Sequence, residues 1–129
     1  MGPSNLTDLA DGVCAPPDGD YWALASVEIE SLLRLLPESW EIIDKQLQRV
    51  YSCHDYPQAA ELTQQIAQMA ESVNHHPQLV LEWCRVTVRI NTHAVGGLAS
   101  GDFVFAAKTE LLAGALNRSK EAGTVDDAD

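Results

Sequence analysis

Basic residues are scarce in this chain. Its 129 residues include eight lysines and arginines against nineteen aspartates and glutamates, which gives a formal net charge of −11. Proteins that bind nucleic acid or an anionic membrane surface need a basic face, so the composition argues against both kinds of partner. No apolar run approaches the roughly 20 residues that a membrane-spanning helix requires. The first residues also lack the basic start and apolar stretch of a signal peptide.

Cysteine is also rare, and its positions show no paired motif. The three cysteines, Cys14, Cys53 and Cys84, are odd in number and form no Cys-x-x-Cys. This argues against a disulfide framework and against a thiolate zinc site. We therefore expect a cytoplasmic protein in a reducing environment.

The apolar content of 46% is enough to build a core, and the length fits one domain. Residues 1–22 carry Gly, Pro, Asp and Asn without a sustained apolar period, so we expect a mobile leader there. Acidic residues are concentrated near the C-terminus, so we expect residues 118–129 to be a mobile acidic tail that aids solubility. The folded domain is then predicted over residues 23–117.

Apolar periodicity predicts three helices and four strands within that domain. The helix signals include Ser26 as an N-cap, Pro37 as a stop and Pro57 in a first turn. The order helix–strand–strand–helix–strand–strand–helix indicates an α+β fold, a four-stranded antiparallel sheet with three helices packed on one face. The predicted helices cover residues 26–36, 57–73 and 100–117, and the predicted strands cover residues 40–43, 47–53, 79–83 and 86–92.

The last predicted helix is apolar on more than one side. It carries Phe103, Val104, Phe105, Leu111, Leu112 and Leu116. A helix of this kind needs more than one neighbour to bury it, and an edge strand of the sheet is available for pairing across a two-fold axis. We therefore expect a homodimer or a homotetramer.

Three of the four histidines fall between positions 75 and 93, so this segment holds most of the candidate acid–base residues. His75 and His76 leave a predicted helix, His93 lies at or just past the end of a predicted strand, and Asp102 begins the last helix. Imidazole gives and takes protons near neutral pH. The group therefore indicates acid–base chemistry on a small ligand.

Other readings of these residues carry less weight. A three-histidine zinc site is possible chemically, but the spacing lacks a chelating pair such as i, i+4 on a helix, so we expect no metal. Nothing in the sequence predicts a lowered pKa for a nucleophilic cysteine. Asp102 also suits a helix start by its charge alone. Trp83 could stack on a flat ligand or could serve the core or the hairpin.

The sequence resembles the pterin-4a-carbinolamine dehydratase family. The resemblance covers about residues 24–116. It includes a Leu-Pro-x-x-Trp motif formed by Leu36, Pro37 and Trp40. Its signature elements stand at the family spacing: Glu71, His75-His76-Pro77, Thr92-His93, Gly96-Gly97-Leu98 and Asp102. The family fold, three helices on a four-stranded antiparallel sheet, agrees with the predicted element order.

The resemblance implies an enzyme, a 4a-hydroxytetrahydrobiopterin dehydratase, which dehydrates a pterin substrate to quinonoid dihydropterin without a metal or organic cofactor. It implies that His75 and His93 lead the acid–base chemistry and that His76 lines the same pocket. Glu71 and Asp102 would orient imidazoles as supporting residues, as Pro77 supports the loop. With Trp83 added, the same histidines form the expected substrate-binding set.

The resemblance also carries a second possibility. The same fold serves as a non-catalytic binding module with a protein client, such as a dimerisation cofactor of a transcription factor or a Rubisco assembly factor encoded with carboxysome genes. Tyr51, Cys53 and Tyr56 stand where the family usually has phenylalanine, and Trp83-Cys84 replaces an aromatic-Asn pair. The charge suits either function equally.

Overall fold

A computed structural model describes residues 2–16, 18–19 and 21–127, with side chains described as far as Asn117. These residues form four α-helices, four strands and one 3₁₀ turn. In chain order these elements are α1 (Leu6–Ala10), α2 (Ser26–Leu33), β1 (Glu41–Ile43), β2 (Gln46–Ser52), α3 (Tyr56–Val73), β3 (Gln78–Glu82), β4 (Arg85–Ile90), the 3₁₀ turn His93–Val95, and α4 (Ser100–Asp127).

The four strands form one antiparallel sheet in the order β1-β2-β4-β3. Two hairpins supply the pairs β1–β2 and β3–β4, and the central pair β2–β4 joins them. Asp44 and Lys45 both have positive φ, 51° and 64°, as a two-residue hairpin turn that matches the strand twist requires. The predicted α+β class and the antiparallel four-stranded sheet are confirmed.

The core lies between one face of this sheet and the helices. Alternate residues of the central strands point into it, among them Leu47, Val86 and Val88, each with no exposed surface. Helix α3 covers them with the stripe that its periodicity predicts, and Met69 of that stripe is partly buried. The buried members of the stripe are Ala59, Leu62, Ile66 and Ala70.

The N-terminal segment differs from its prediction. Instead of a mobile leader, the structure has helix α1, whose Leu9 and Ala10 are buried against α4. A Cβ added at Gly12 would lie 3.0 Å from Val104 of α4, which shows how closely the two segments approach. Sequence periodicity missed this helix because five residues are too few to show a period.

This packing changes the argument for an oligomer. Phe103 and Phe105 have no exposed surface and Val104 is 6% exposed, so a single chain already buries the first half of α4 on several sides. Farther along, Leu111 is 41% exposed. The homodimer or homotetramer therefore stays a prediction, and it now rests on the edge strands and on the later turns of α4.

Two helix ends also differ from the predictions. Helix α2 begins after Ala25, whose N–H donates to Glu28 Oε1 at 2.9 Å, so Ser26 is the first helical residue and not the cap. Helix α4 continues beyond the predicted end at Asn117 to Asp127. The side chains of the predicted acidic tail and its last two residues lie outside the described part of the chain. Among the described residues, no helix is long and apolar enough to cross a membrane.

Candidate active site

His75 takes its place from the way helix α3 ends. Asn74 follows the helix with φ 53° and ψ 45°, a left-handed conformation that asparagine tolerates better than most residues. The N–H of His75 then donates back to the carbonyl of Ala70 at 3.2 Å. This closing turn reverses the chain, so His75 points under the helix and is only 7% exposed.

The sheet register brings the histidine segments to one edge. Gln78 at the start of β3 pairs with Arg89 near the end of β4. Residues immediately before β3 therefore lie beside those immediately after β4. His75 and His76 belong to the first group, and Thr92 with His93 belongs to the second.

Asp102 joins these segments to the first turn of α4. Its Oδ1 lies 2.7 Å from His75 Nε2, and its Oδ2 accepts from the Thr92 hydroxyl and from the Ala99 N–H, each at 2.8 Å. In the Ala99 bond, a side chain of the first turn of α4 accepts from the N–H of the residue before the helix, as in a capping box. Asp102 itself has no exposed surface. A buried carboxylate with three hydrogen-bond partners is held rigidly, and it restrains one nitrogen of the His75 imidazole.

The other two histidines face solvent. His76 Nε2 lies 2.9 Å from Glu71 Oε1, with 59% and 83% of the two side chains exposed. His93 begins the 3₁₀ turn that follows β4 and is exposed. Thr92 and Gly97 pair across this turn, with the Thr92 N–H donating to the Gly97 carbonyl at 2.8 Å. The site therefore combines one buried, carboxylate-bound imidazole with two accessible ones.

Two aromatic rings flank the buried imidazole. The Tyr21 ring stacks on His75 at 6.1 Å between centroids and 25° between planes. The Phe105 ring meets it edge-on at 6.1 Å and 73°. Phe105 and Thr92 had no predicted role at this site, although Thr92 stands inside the Thr-His motif and could have been found there. The sequence did not predict a role for Tyr21, because residues 1–22 show no sustained apolar period.

Trp83 does not lie with the histidines of its own chain. It occupies the turn between β3 and β4, 77% exposed, at the opposite end of β3 from His76 and Pro77. Five strand residues separate the two ends by about 16 Å. Trp83 therefore lies far from the histidines of its own chain, and its contact with substrate stays a prediction.

A separate cleft of about 420 Å³ lies between β2, α3 and the later turns of α4. It contains no histidine. Its charged pair is Arg49 with Glu110, whose Oε1 also accepts from Trp40 Nε1 and from the Tyr51 hydroxyl, all three at 2.8 Å. Burial and the adjacent Glu110 raise the pKa of Tyr51. These polar groups satisfy one another, as in a cluster with a structural role.

Within the described residues, no group of three or more His, Cys, Asp or Glu side chains is arranged to hold a metal ion. The bond partners of His75 and His76 are carboxylates. Their contacts are those of imidazoles prepared for hydrogen bonding and proton exchange.

Comparison with known proteins agrees with this geometry. A profile described as pterin 4 alpha carbinolamine dehydratase matches residues 23–112. The chain belongs to this family. Two similar proteins, each named "Putative pterin-4-alpha-carbinolamine dehydratase", come from Chlorobaculum tepidum (39% identical over 111 residues, 83% of this chain and 99% of the relative) and Nitrosomonas eutropha (34% over 109 residues, 84% and 96%).

A solved structure supports the same relationship. The crystal structure of a "transcriptional coactivator/pterin dehydratase" from Brucella melitensis matches with a TM-score of 0.67 and 29% identity, over 71% of this chain and 99% of that one. The family resemblance read from the sequence is thereby confirmed.

The structure pairs each predicted supporting carboxylate of this pterin dehydratase family member with one histidine. Asp102 binds His75 and Glu71 binds His76. It also explains one departure from the family pattern. Tyr51 stands where phenylalanine is usual, and its added hydroxyl has a partner in Glu110.

Proposed function

We propose that this protein dehydrates 4a-hydroxytetrahydropterin to quinonoid dihydropterin by histidine acid–base catalysis. The observation that supports the proposal most is the bond between His75 Nε2 and Asp102 Oδ1, at the edge where His76 and His93 are exposed. Membership of the pterin-4a-carbinolamine dehydratase family supports the substrate class.

The reaction needs two proton transfers. One proton must reach the hydroxyl that leaves C4a as water, and another must leave a ring nitrogen of the pterin. Two imidazoles near neutral pH can serve as acid and base for these steps. We assign them to His75 and His93, because both lie at the edge formed by the start of β3 and the end of β4.

Asp102 contributes by fixing His75. When a carboxylate accepts from one ring nitrogen, it sets the tautomer and leaves the opposite nitrogen, Nδ1, as the acceptor. His76, held by the exposed Glu71, is suited to hydrogen bonding with a flat heterocycle at the mouth of the site.

Direct assay of a synthetic 4a-carbinolamine tests the proposal. The wild-type protein should accelerate dehydration over the spontaneous rate, and it should do so after treatment with a chelator. His54→Ala is a matched control, because this histidine is exposed and precedes α3. An unchanged spontaneous rate with the wild-type protein would contradict the proposal.

A second candidate is a non-catalytic binding module, with a homodimeric or homotetrameric assembly and a protein client. The Brucella melitensis protein is named as both a transcriptional coactivator and a pterin dehydratase, and this supports a binding function as the second candidate. Co-purification of a client from cells, together with no acceleration of dehydration, would support it. We propose the enzyme first because a buried His–Asp pair beside two accessible imidazoles is more than binding requires.

A further inference from the structure

Tyr21 lies outside the residues matched by the family, which begin at residue 23, yet it contacts the central histidine. Its ring and the edge of Phe105 meet the His75 imidazole at 6.1 Å each, while Asp102 holds Nε2. Phe105 is fully buried, whereas Tyr21 is half-buried. Tyr21 is thus a contact of His75 that comes from outside the residues covered by the family match.

The N-terminal segment, the described residues among 2–22, is fixed on both sides of Tyr21. Before it, the carbonyl oxygen of Cys14 approaches Gly101 so closely that a Cβ there would lie 1.9 Å from that oxygen. After it, the Leu24 N–H donates to the Leu98 carbonyl at 3.0 Å. Gly101 directly precedes Asp102. The N-terminal segment therefore crosses the first turn of α4, which carries the Asp102 carboxylate.

We propose that Tyr21 is a positioning residue that keeps the His75 ring aligned for proton transfer, a role that rests on the proposed dehydratase function. Asp102 restrains one nitrogen of the imidazole but leaves rotation about that bond possible. A stacked ring opposes this rotation. The ring provides the restraint, and the hydroxyl is not required.

Kinetics of Tyr21 variants test this role. Tyr21→Ala should lower kcat by about 10- to 100-fold with little change in KM, because a misplacement of about 1 Å can cost about 10²-fold. Tyr21→Phe should keep kcat within about two-fold of wild type. Tyr56→Ala, which removes a half-exposed tyrosine at the start of α3, is the matched control. A wild-type kcat in Tyr21→Ala, or an equal loss in Tyr21→Phe, would overturn the proposal.

A second test displaces the N-terminal segment without changing Tyr21, and it uses one variant and one control. Gly101→Ala forces the Cys14 carbonyl away, whereas Gly2→Ala adds a methyl group where no atom lies within 4 Å. Gly101→Ala should lower kcat, and Gly2→Ala should not. If the loss acts through Tyr21, adding Gly101→Ala to Tyr21→Ala should lower kcat little further. Full additivity of the two losses would show that Gly101 acts independently and would count against the proposal.

A measurement without substrate separates this inference from the proposed function. The His75 Nε2 proton, bound to Asp102, should exchange with water about 10-fold faster in Tyr21→Ala than in wild type or Tyr21→Phe, as local opening becomes easier. If wild type shows no dehydratase activity but the exchange rates differ in this way, the proposed function fails while the restraint of His75 by Tyr21 stands. Equal exchange rates in all three proteins would overturn the inference.

Discussion

His75 and Asp102 are 27 positions apart in sequence, and their side chains meet at 2.7 Å in the interior of the protein. The imidazole is 7% exposed and the carboxylate is fully buried. The contact ties the end of α3 to the start of α4. It links fold and proposed chemistry, since the same bond closes the structure at this edge and orients a proton-transfer group.

Asp102→Asn should lower the dehydration rate by an amount between the effects of His75→Ala and His76→Ala. An amide keeps the shape, and its oxygen can still accept from Thr92 and Ala99. Its nitrogen then donates toward His75 Nε2, which places the imidazole proton on Nδ1. Nitrogen chemical shifts of His75 should report this change of tautomer. A wild-type rate with a changed tautomer would contradict the role assigned to Asp102.

His75→Ala and His93→Ala should each remove most of the rate. Positioned acid–base groups contribute about 10²–10⁴-fold, or roughly 3–5 kcal/mol of barrier. The double variant should be little slower than either single variant, because groups that act as a unit are not additive. Circular dichroism should show that each variant is folded, and His54→Ala serves as the control. If both single variants match wild type, the protein is better explained as a binding module.

His76→Ala should affect binding more than rate. Its imidazole is 59% exposed and paired with an even more exposed Glu71, so its removal leaves no buried group without a partner. We expect a higher KM for the carbinolamine with a smaller loss of kcat. The free energy of unfolding should change by less than about 1 kcal/mol, since exposed ion pairs contribute little. A loss of kcat as large as that of His75→Ala would show that His76 takes part in proton transfer.

Glu110→Ala should destabilise the fold and leave the histidine site in place. One oxygen of Glu110 accepts from Trp40, Arg49 and Tyr51. Its removal leaves a partly buried guanidinium and two further donors without their acceptor. This should lower the free energy of unfolding by about 3–5 kcal/mol. Urea denaturation measures this, with the exposed Glu38→Ala as the matched control. A loss below about 1 kcal/mol would mean that water replaces the carboxylate.

Light scattering at micromolar concentration should show a homodimer or homotetramer and not a single chain of 14.0 kDa. Strands β1 and β3 are the edges of the sheet, and Ile42 and Ile43 of β1 are 37% and 40% exposed. Replacing Ile43 by lysine should weaken an assembly formed through that edge. Only the 14.0 kDa species in wild type would defeat the prediction.

The sequence by itself determined the elements whose signal is local. The α3 stripe from Ala59 to Ala70 follows helical periodicity, and the alternation of Val86, Val88 and Ile90 predicts β4. The motif around His75 and His93 identified the family, because residue types at a fixed spacing are visible without a structure.

Only the tertiary structure decided which residues meet across the chain. It paired His75 with Asp102, brought Tyr21 from an unpatterned segment onto the imidazole, and placed Trp83 at the far end of β3. Helix α1 is stabilised by packing on α4, which no local propensity encodes. Contacts of this kind depend on register and on the approach of distant segments, such as Cys14 over Gly101. The physical reason is that periodicity reports which face of an element is buried, but not which residue covers it.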